Sequence, residues 1–353
     1  MRDSLRAIAK IVCCLLVIGG ISLQAALAQN ISGAVAPDPD PAHRTSPRDG
    51  AAIGSDFADN TFGYDSGALP ETTKRTTLTA NRFYIGLEAG VSLSGHLDIS
   101  HIFLNHPTRC DPFFYAPGAA PTGGECAAGK ISYIDAIFVP GASFAGSTSL
   151  GYALRNRLRI EVEYLNRRQG SHNRAISLGS DSDDVLDQKS SEWDANDPPS
   201  ERLYGLSTHH VFLNAWYDLR TGSRLTPYIG GGVGLASTTM HYSARFLRRS
   251  DLGPEPWQMA AAGTLSHIDA ELENTGWRFQ AAVGMDYALR DNVSIIAKVR
   301  WIPSFSFDDN DNLWTQIRDH DPVRSDGVTP FTSDFMVSGV SRWVMTAGLR
   351  YSL

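Results

Sequence analysis

The sequence predicts an all-β fold, an eight-stranded antiparallel up-and-down transmembrane β-barrel with four long loops at one end and short turns at the other. Apolar and polar side chains alternate in eight separate stretches, and a barrel strand needs about 9–11 tilted residues to cross a bilayer. The links between these stretches alternate short and long. Beyond its N-terminal segment, the 353-residue chain has no apolar run near the roughly 18 residues that would suggest a membrane helix.

The elements follow in order. Arg2, Arg6 and Lys10 precede an apolar run over 11–27, and Ala26-Leu27-Ala28 offers a small-x-small cleavage site, so residues 1–28 read as a secretory signal peptide. Cys13 and Cys14 leave with it. Residues 29–81 carry Asp38-Pro39-Asp40-Pro41 and few large apolar side chains, too little burial to offset ordering entropy, and are expected to form a flexible extension. The barrel spans 82–353. Its first strand starts at Arg82, with Phe83, Ile85, Leu87, Ala89, Val91 and Leu93 on one face. The second covers Ser143–Leu154, with Phe144, Leu150 and Tyr152 outward, and turns at Arg155-Asn156 into a third, where Leu158, Ile160, Val162 and Tyr164 alternate with charged residues.

The fourth strand runs from about Leu206 to Arg220, and Thr221-Gly222-Ser223 turns into the fifth, Thr226–Tyr242. In the sixth, Gly276–Leu289, Trp277, Phe279, Val283, Met285 and Tyr287 oppose Arg278, Gln280 and Asp286. Arg290-Asp291-Asn292 turns into the seventh, Val293–Trp301, and the eighth is Gly339–Leu353. Links 2–3, 4–5 and 6–7 are short, whereas 1–2, 3–4, 5–6 and 7–8 are long. Bacterial outer-membrane barrels segregate short periplasmic turns from long extracellular loops in this way.

Composition decides which face meets lipid. One face collects Glu88, Glu161, Glu163, Asp218 and Asp286 together with Arg159, Arg278, Lys298, Arg300, Arg342 and Arg350, nearly balanced. An eight-stranded barrel has an interior that side chains just fill, so this set is expected to form a lumenal charge network that leaves no wide channel. The other face is almost free of charge and carries Tyr164, Tyr217, Trp277, Tyr287, Trp301, Trp343 and Tyr351 near strand ends, where interfacial girdles lie. A soluble barrel of the lipocalin type would invert the faces; the export signal favours lipid outside, in the outer membrane of a Gram-negative cell. The net charge of −7 argues against a nucleic-acid partner.

Asn214-Ala215-Trp216-Tyr217-Asp218-Leu219 followed by Thr226-Pro227-Tyr228-Ile229-Gly230-Gly231-Gly232-Val233-Gly234 resembles the central hairpin of small outer-membrane surface antigens and opacity-type porin-family proteins of Gram-negative bacteria. Phe279-Gln280-Ala281-Ala282-Val283-Gly284-Met285-Asp286-Tyr287 with Asp291-Asn292 looks like the sixth and seventh strands of the same group. The resemblance covers about Arg82 to Leu353 and implies the architecture above, with adhesion, surface contact, envelope integrity or slow diffusion among its functions. Leu353 stands where the family usually ends in Phe, and the 29–81 extension is longer than the family needs.

Chemistry-bearing residues are few. Cys110 and Cys126, an even pair in a loop-like segment behind a secretion signal, are expected to form a disulfide. His241 and Ser243 share one face of a strand, so His241 could activate Ser243 with Glu255 orienting the imidazole, and the pattern resembles the His-x-Ser of outer-membrane lipid A deacylases. The Asn that usually follows is Ala244 here. His209 and His210 point to opposite faces and cannot share a metal. The acidic stretches Asp308-Asp309-Asn310-Asp311-Asn312 and Asp181-Ser182-Asp183-Asp184 lack the spacing of a calcium loop. Gly230, Gly231, Gly232 and Gly234 precede no helix and form no phosphate cradle. The expectation is a non-enzymatic barrel without metal or cofactor, its partners being outer-membrane lipids and whatever its loops meet; a lipid A hydrolase and a low-conductance porin are the alternatives.

Overall fold

The computed structural model describes residues 81–105, 110–138, 141–154, 157–170, 172–175, 185–219, 221–339 and 342–353. The expected signal peptide, nearly all of the 29–81 extension, the Arg155-Asn156 turn and the Asp181–Asp184 stretch lie outside them.

Eight strands close into a barrel. They are β1 (Arg82–Ser94), β4 (Ala142–Ala153), β5 (Leu158–Arg168), β7 (Ser200–Asp218), β8 (Leu225–Leu247), β9 (Leu265–Ala288), β10 (Val293–Ile302) and β13 (Arg342–Ser352). Each pairs antiparallel with the next in that order, β5 with β7 among them, and β13 pairs back onto β1. Closure leaves no free sheet edge, which a strand in lipid requires because hydrocarbon satisfies no backbone group. Alternation sets the faces: Leu87 and Trp277 are 68% and 67% exposed on the outside, whereas Glu88 and Arg300 are buried inside.

Two tyrosines lie across facing strands over glycines. Tyr84 is paired with Gly151 and Tyr228 with Gly284. A Cβ at Gly151 would stand 2.1 Å from the Tyr84 ring, and one at Gly284 2.4 Å from the Tyr228 ring, so only glycine admits these side chains into the narrow lumen.

The structure departs from the expected elements at the long-loop end. Strands four, five and six were expected at Leu206–Arg220, Thr226–Tyr242 and Gly276–Leu289. Instead β7 begins at Ser200, β8 runs for 23 residues and β9 for 24, far beyond a bilayer crossing. Along β8 the polarity of the two faces exchanges. Outward residues pass from Ile229, Val233 and Leu235 to Ser237, Thr239, His241 and Ser243, while the inner face passes from glycines and Thr238 to Met240, Tyr242, Ala244 and Phe246. On β9 the outward Trp277, Phe279 and Val283 give way to Asp269, Glu271 and Glu273, as Ile268, Ala270 and Leu272 turn inward. The exchange marks the level where lipid ends and water begins.

Above that level a second, four-stranded sheet covers the inner face of the prolonged strands. Its order is β11 (Phe307–Leu313), β12 (Thr332–Ser338), β2 (Leu97–Leu104) and β3 (Ile131–Phe138). Leu97, Ile99, Phe103, Ile134, Phe335 and Val337 pack with Leu203, Met240, Tyr242, Phe246, Ile268 and Leu272 in one apolar core. Two of the four predicted long loops, the first and last, thus build this sheet, and the third carries the prolonged β8–β9 hairpin. The second adds the short strand β6 (His172–Ala175) to β7. At the tip of the β8–β9 hairpin a one-turn helix, Pro256–Ala261, closes the connection.

Candidate functional site

Alternation on β1, β5 and β10 brings five of the lumenal charges to one level. Lys298 Nζ lies 2.9 Å from Glu88 Oε1 and 3.5 Å from both Glu161 Oε1 and Glu163 Oε1. Arg300 Nη2 reaches Glu88 Oε2 at 3.0 Å and Glu163 Oε1 at 2.9 Å. Neutral donors complete the acceptors' shells: Asn214 Nδ2 and Gln280 Nε2 donate to Glu163 at 2.9 and 3.1 Å, and Tyr84 Oη donates to Glu161 at 3.0 Å. Towards the short-turn end, Arg159 pairs with Asp218 at 2.8 Å and Arg350 with Asp286. Both guanidiniums also lie against the Tyr84 and Tyr228 rings, and Trp216 lies beneath Lys298 Nζ at 4.9 Å. Bulky rings exclude the solvent from these pairs, and the close ion-pair geometry offsets the cost of removing the charges from water.

Arg278 and Arg342 do not join this cluster. Arg278 donates to Asn274 Oδ1 and to the Trp277 carbonyl, both at 2.8 Å, and the Phe305 ring covers its guanidinium and that of Arg342. Arg167, which the sequence reading leaves out of the network, is also buried in the lumen.

In the extracellular core His101 is fully buried. Its ring stacks on Phe335 at 4.4 Å and Trp314 at 5.4 Å, and its Nε2 makes a 2.7 Å hydrogen bond with Ser333 Oγ. Burial pushes its pKa down to about 3, so the ring is neutral.

The Cys110–Cys126 disulfide is formed, and beside it the four loop regions meet. Asp111 accepts from Arg318 Nη1 at 3.1 Å and the Phe113 amide at 3.0 Å, and bonds His320 Nε2 at 2.6 Å. Burial alone would raise the Asp111 pKa, but His320, Arg318 and the amide outweigh it and hold it below the usual range. For His320 burial pulls downward, yet the Asp111 bond and the Asp321 carbonyl raise the pKa above its ordinary value. Arg318 N donates to Ser266 Oγ at 3.1 Å, Arg248 Nη1 donates to the same hydroxyl at 3.3 Å, and Arg248 Nε stands 3.6 Å from Glu192.

The alternative candidates His241, Ser243 and Glu255 lie apart in role. Glu255 is the N-cap of the Pro256–Ala261 helix in a capping box with Gln258, its amide donating to Gln258 Oε1 at 3.0 Å. His241 does share the outward face with Ser243, but its imidazole stacks on Tyr204 at 5.1 Å and faces Glu271 at 3.9 Å. His209 and His210 point to opposite faces: His209 Nδ1 bonds Tyr164 Oη at 2.6 Å, and His210 stacks on Phe212 inside. Asp309 is held by the Glu273 amide and Asn312 Nδ2, both at 2.9 Å. Among the described residues no group of three His, Cys, Asp or Glu side chains is arranged to hold a metal.

Residues 118–318 match the family model described as the outer membrane protein beta-barrel domain, and the chain belongs to that family. It is an outer-membrane protein that crosses the lipid with strands. No curated protein sequence matches it. The solved structures it is similar to include OprG from Pseudomonas aeruginosa, at 14% identity and TM-score 0.38, covering 79% of this chain and 98% of that one. They also include Neisserial surface protein A, at 15% identity and TM-score 0.31, covering 76% and 96%. The outer membrane protease OmpT from Escherichia coli is a further one, at 8% identity and TM-score 0.33, covering 80% and 100%. At these scores the likenesses carry no argument about activity.

Proposed function

We propose that the protein is a non-enzymatic surface platform: a plugged barrel anchors a β-sandwich outside the membrane for adhesion, surface contact or envelope integrity. The observation that carries this reading is the exchange of polarity along β8 and β9, which continues the barrel wall into an apolar-cored extracellular body. A device for transport would need an open lumen. Instead Lys298, Arg300, Glu88 and Glu163 sit across it, each at most 3% exposed. The outer face of the second sheet carries Ile131, Ile137 and Met336 more than half exposed, interspersed with Asp98, Asp135 and Asp334, a mixed surface suited to protein contact. Cells displaying the protein should bind a surface or partner that cells with Ile137→Ser and Met336→Ser do not, at equal surface amounts. Equal binding by both, or by cells lacking the protein, contradicts the proposal.

The hydrolase reading makes a distinct prediction, loss of lipid A deacylation in Ser243→Ala. With Glu255 engaged in helix capping, the expected result is unchanged lipid A. A low-conductance pore would require steady single-channel currents in planar bilayers, and the plugged lumen favours none.

A further inference from the structure

The upper lumen, between the ion-pair cluster and the extracellular core, holds positive charge without a counter-charge. Arg167 from β5 and Arg342 from β13 are 2% and 1% exposed, and the half-buried Arg278 from β9 lies beside Arg342. Arg342 has both Arg167 and Arg278 as electrostatic neighbours, and His210 is near all three. Arg167 donates to the Ser92 hydroxyl at 3.1 Å and the Thr208 hydroxyl at 3.4 Å. These bonds satisfy only part of the set. Arg167 Nε, Arg342 Nε and Nη2, Ser94 Oγ and His210 Nδ1 are buried with no partner among the described residues. No carboxylate among them lies within ion-pair distance of any of the three arginines; the five lumenal acids are engaged with Arg159, Lys298, Arg300 and Arg350.

Arginine does not escape burial by losing its proton, and like charges in a medium of low dielectric repel strongly. Two buried guanidiniums, Arg167 and Arg342, with a third half-buried beside them, call for a compensating anion. We propose that this level of the lumen is a binding site for one small oxyanion of the phosphate or sulfate type. Forked guanidinium donors pair with two oxygens of one anion, which a spherical chloride does not offer. Ser94 Oγ adds a neutral donor from β1. The Phe305 ring lies over Arg278 at 3.8 Å and Arg342 at 5.4 Å and closes the site from above. The strand wall excludes lipid, so the ligand is a free ion and not a headgroup. It joins β5, β9 and β13 at the level where the barrel passes into the extracellular body.

The test is equilibrium dialysis of the folded full chain in detergent micelles against labelled inorganic phosphate, with ionic strength held constant by chloride. One phosphate per chain is expected, with sulfate competing. Arg342→Met and, separately, Arg167→Met should weaken binding by about tenfold or more, the loss of one charge-assisted pair. Arg245→Met, on the outer surface, should leave it unchanged. Two substitutions guard against one that fails to fold, and an unboiled gel shift confirms the barrel in each. No saturable binding to the parent chain overturns the proposal, as does equal binding by the two lumenal variants, which would mean an adventitious ion only.

Discussion

Acidification should loosen the extracellular body before the barrel, through His101. Its folded pKa of about 3 lies below the ordinary imidazole value of about 6.5. Above pH 6.5 the ring is neutral in both states, and stability does not depend on it. Below 6.5 the opened state takes up a proton that the folded core refuses, so stability falls by about 1.4 kcal/mol per pH unit until the folded pKa is reached. Between pH 6.5 and 4.5 the loss is about 3 kcal/mol, a large part of what an extracellular subdomain has in reserve. The neighbouring latch does not mimic this. The raised pKa of His320 gives stability that is full below about 6.5 and is lost as pH rises through the folded value, and Asp111, depressed, loses its share only when pH falls through its own folded value. The assay is near-ultraviolet circular dichroism of the aromatic core, where Trp314 stacks on His101, followed in urea at pH 7.5 and 4.5 with His101→Phe alongside. The parent midpoint should drop at pH 4.5 and that of His101→Phe should move far less. Equal midpoints at the two pH values, or an equal drop in the variant, would refute the reasoning.

Two further outcomes follow from the same contacts. Lys298→Met leaves Glu161 without its ion pair and Glu88 and Glu163 to share Arg300, and breaking a buried cluster in this way should destabilise the barrel by about 3–5 kcal/mol, read as a lower urea midpoint in micelles. An unchanged midpoint would mean that water enters the lumen. Replacing both Cys110 and Cys126 by Ser removes a crosslink spanning 16 residues and should cost about 3 kcal/mol, confined to the first loop. It should appear as new protease cleavage between them with the barrel's gel shift retained.

The barrel was legible because a closed sheet in lipid must repeat one rule on every strand. Val293–Ile302 and Arg342–Ser352 fall within a residue or three of the boundaries expected from alternation. Loops were misjudged where that rule changes sign. Ile268, Ala270 and Leu272 alternate as cleanly as Phe279, Ala281 and Val283, but on the opposite face, so a reading that seeks one continuous apolar stripe stops at Gly276. Arg167 escapes the sequence reading because the apolar alternation fades after Tyr164 into the polar run Asn166-Arg167-Arg168, although β5 continues to Arg168. Which carboxylate meets which cation depends on register and side-chain reach, and the period reveals neither. Asp111 finds Arg318 across 207 residues, and a contact of that span leaves no local signal. Glu255 is the opposite case: Glu-Pro-Trp-Gln carries a helix-start pattern readable without a structure.

The exchange of faces along β8 is most directly tested by single cysteines at Ile229, Val233, Ser243 and Arg245, labelled on intact cells with a maleimide that does not cross membranes. Ser243→Cys and Arg245→Cys should react, whereas Ile229→Cys and Val233→Cys, facing hydrocarbon, should stay unlabelled until the membrane is dissolved. Labelling of Val233→Cys at the rate of Ser243→Cys would mean that no lipid boundary lies between them, and the platform would lose its anchor.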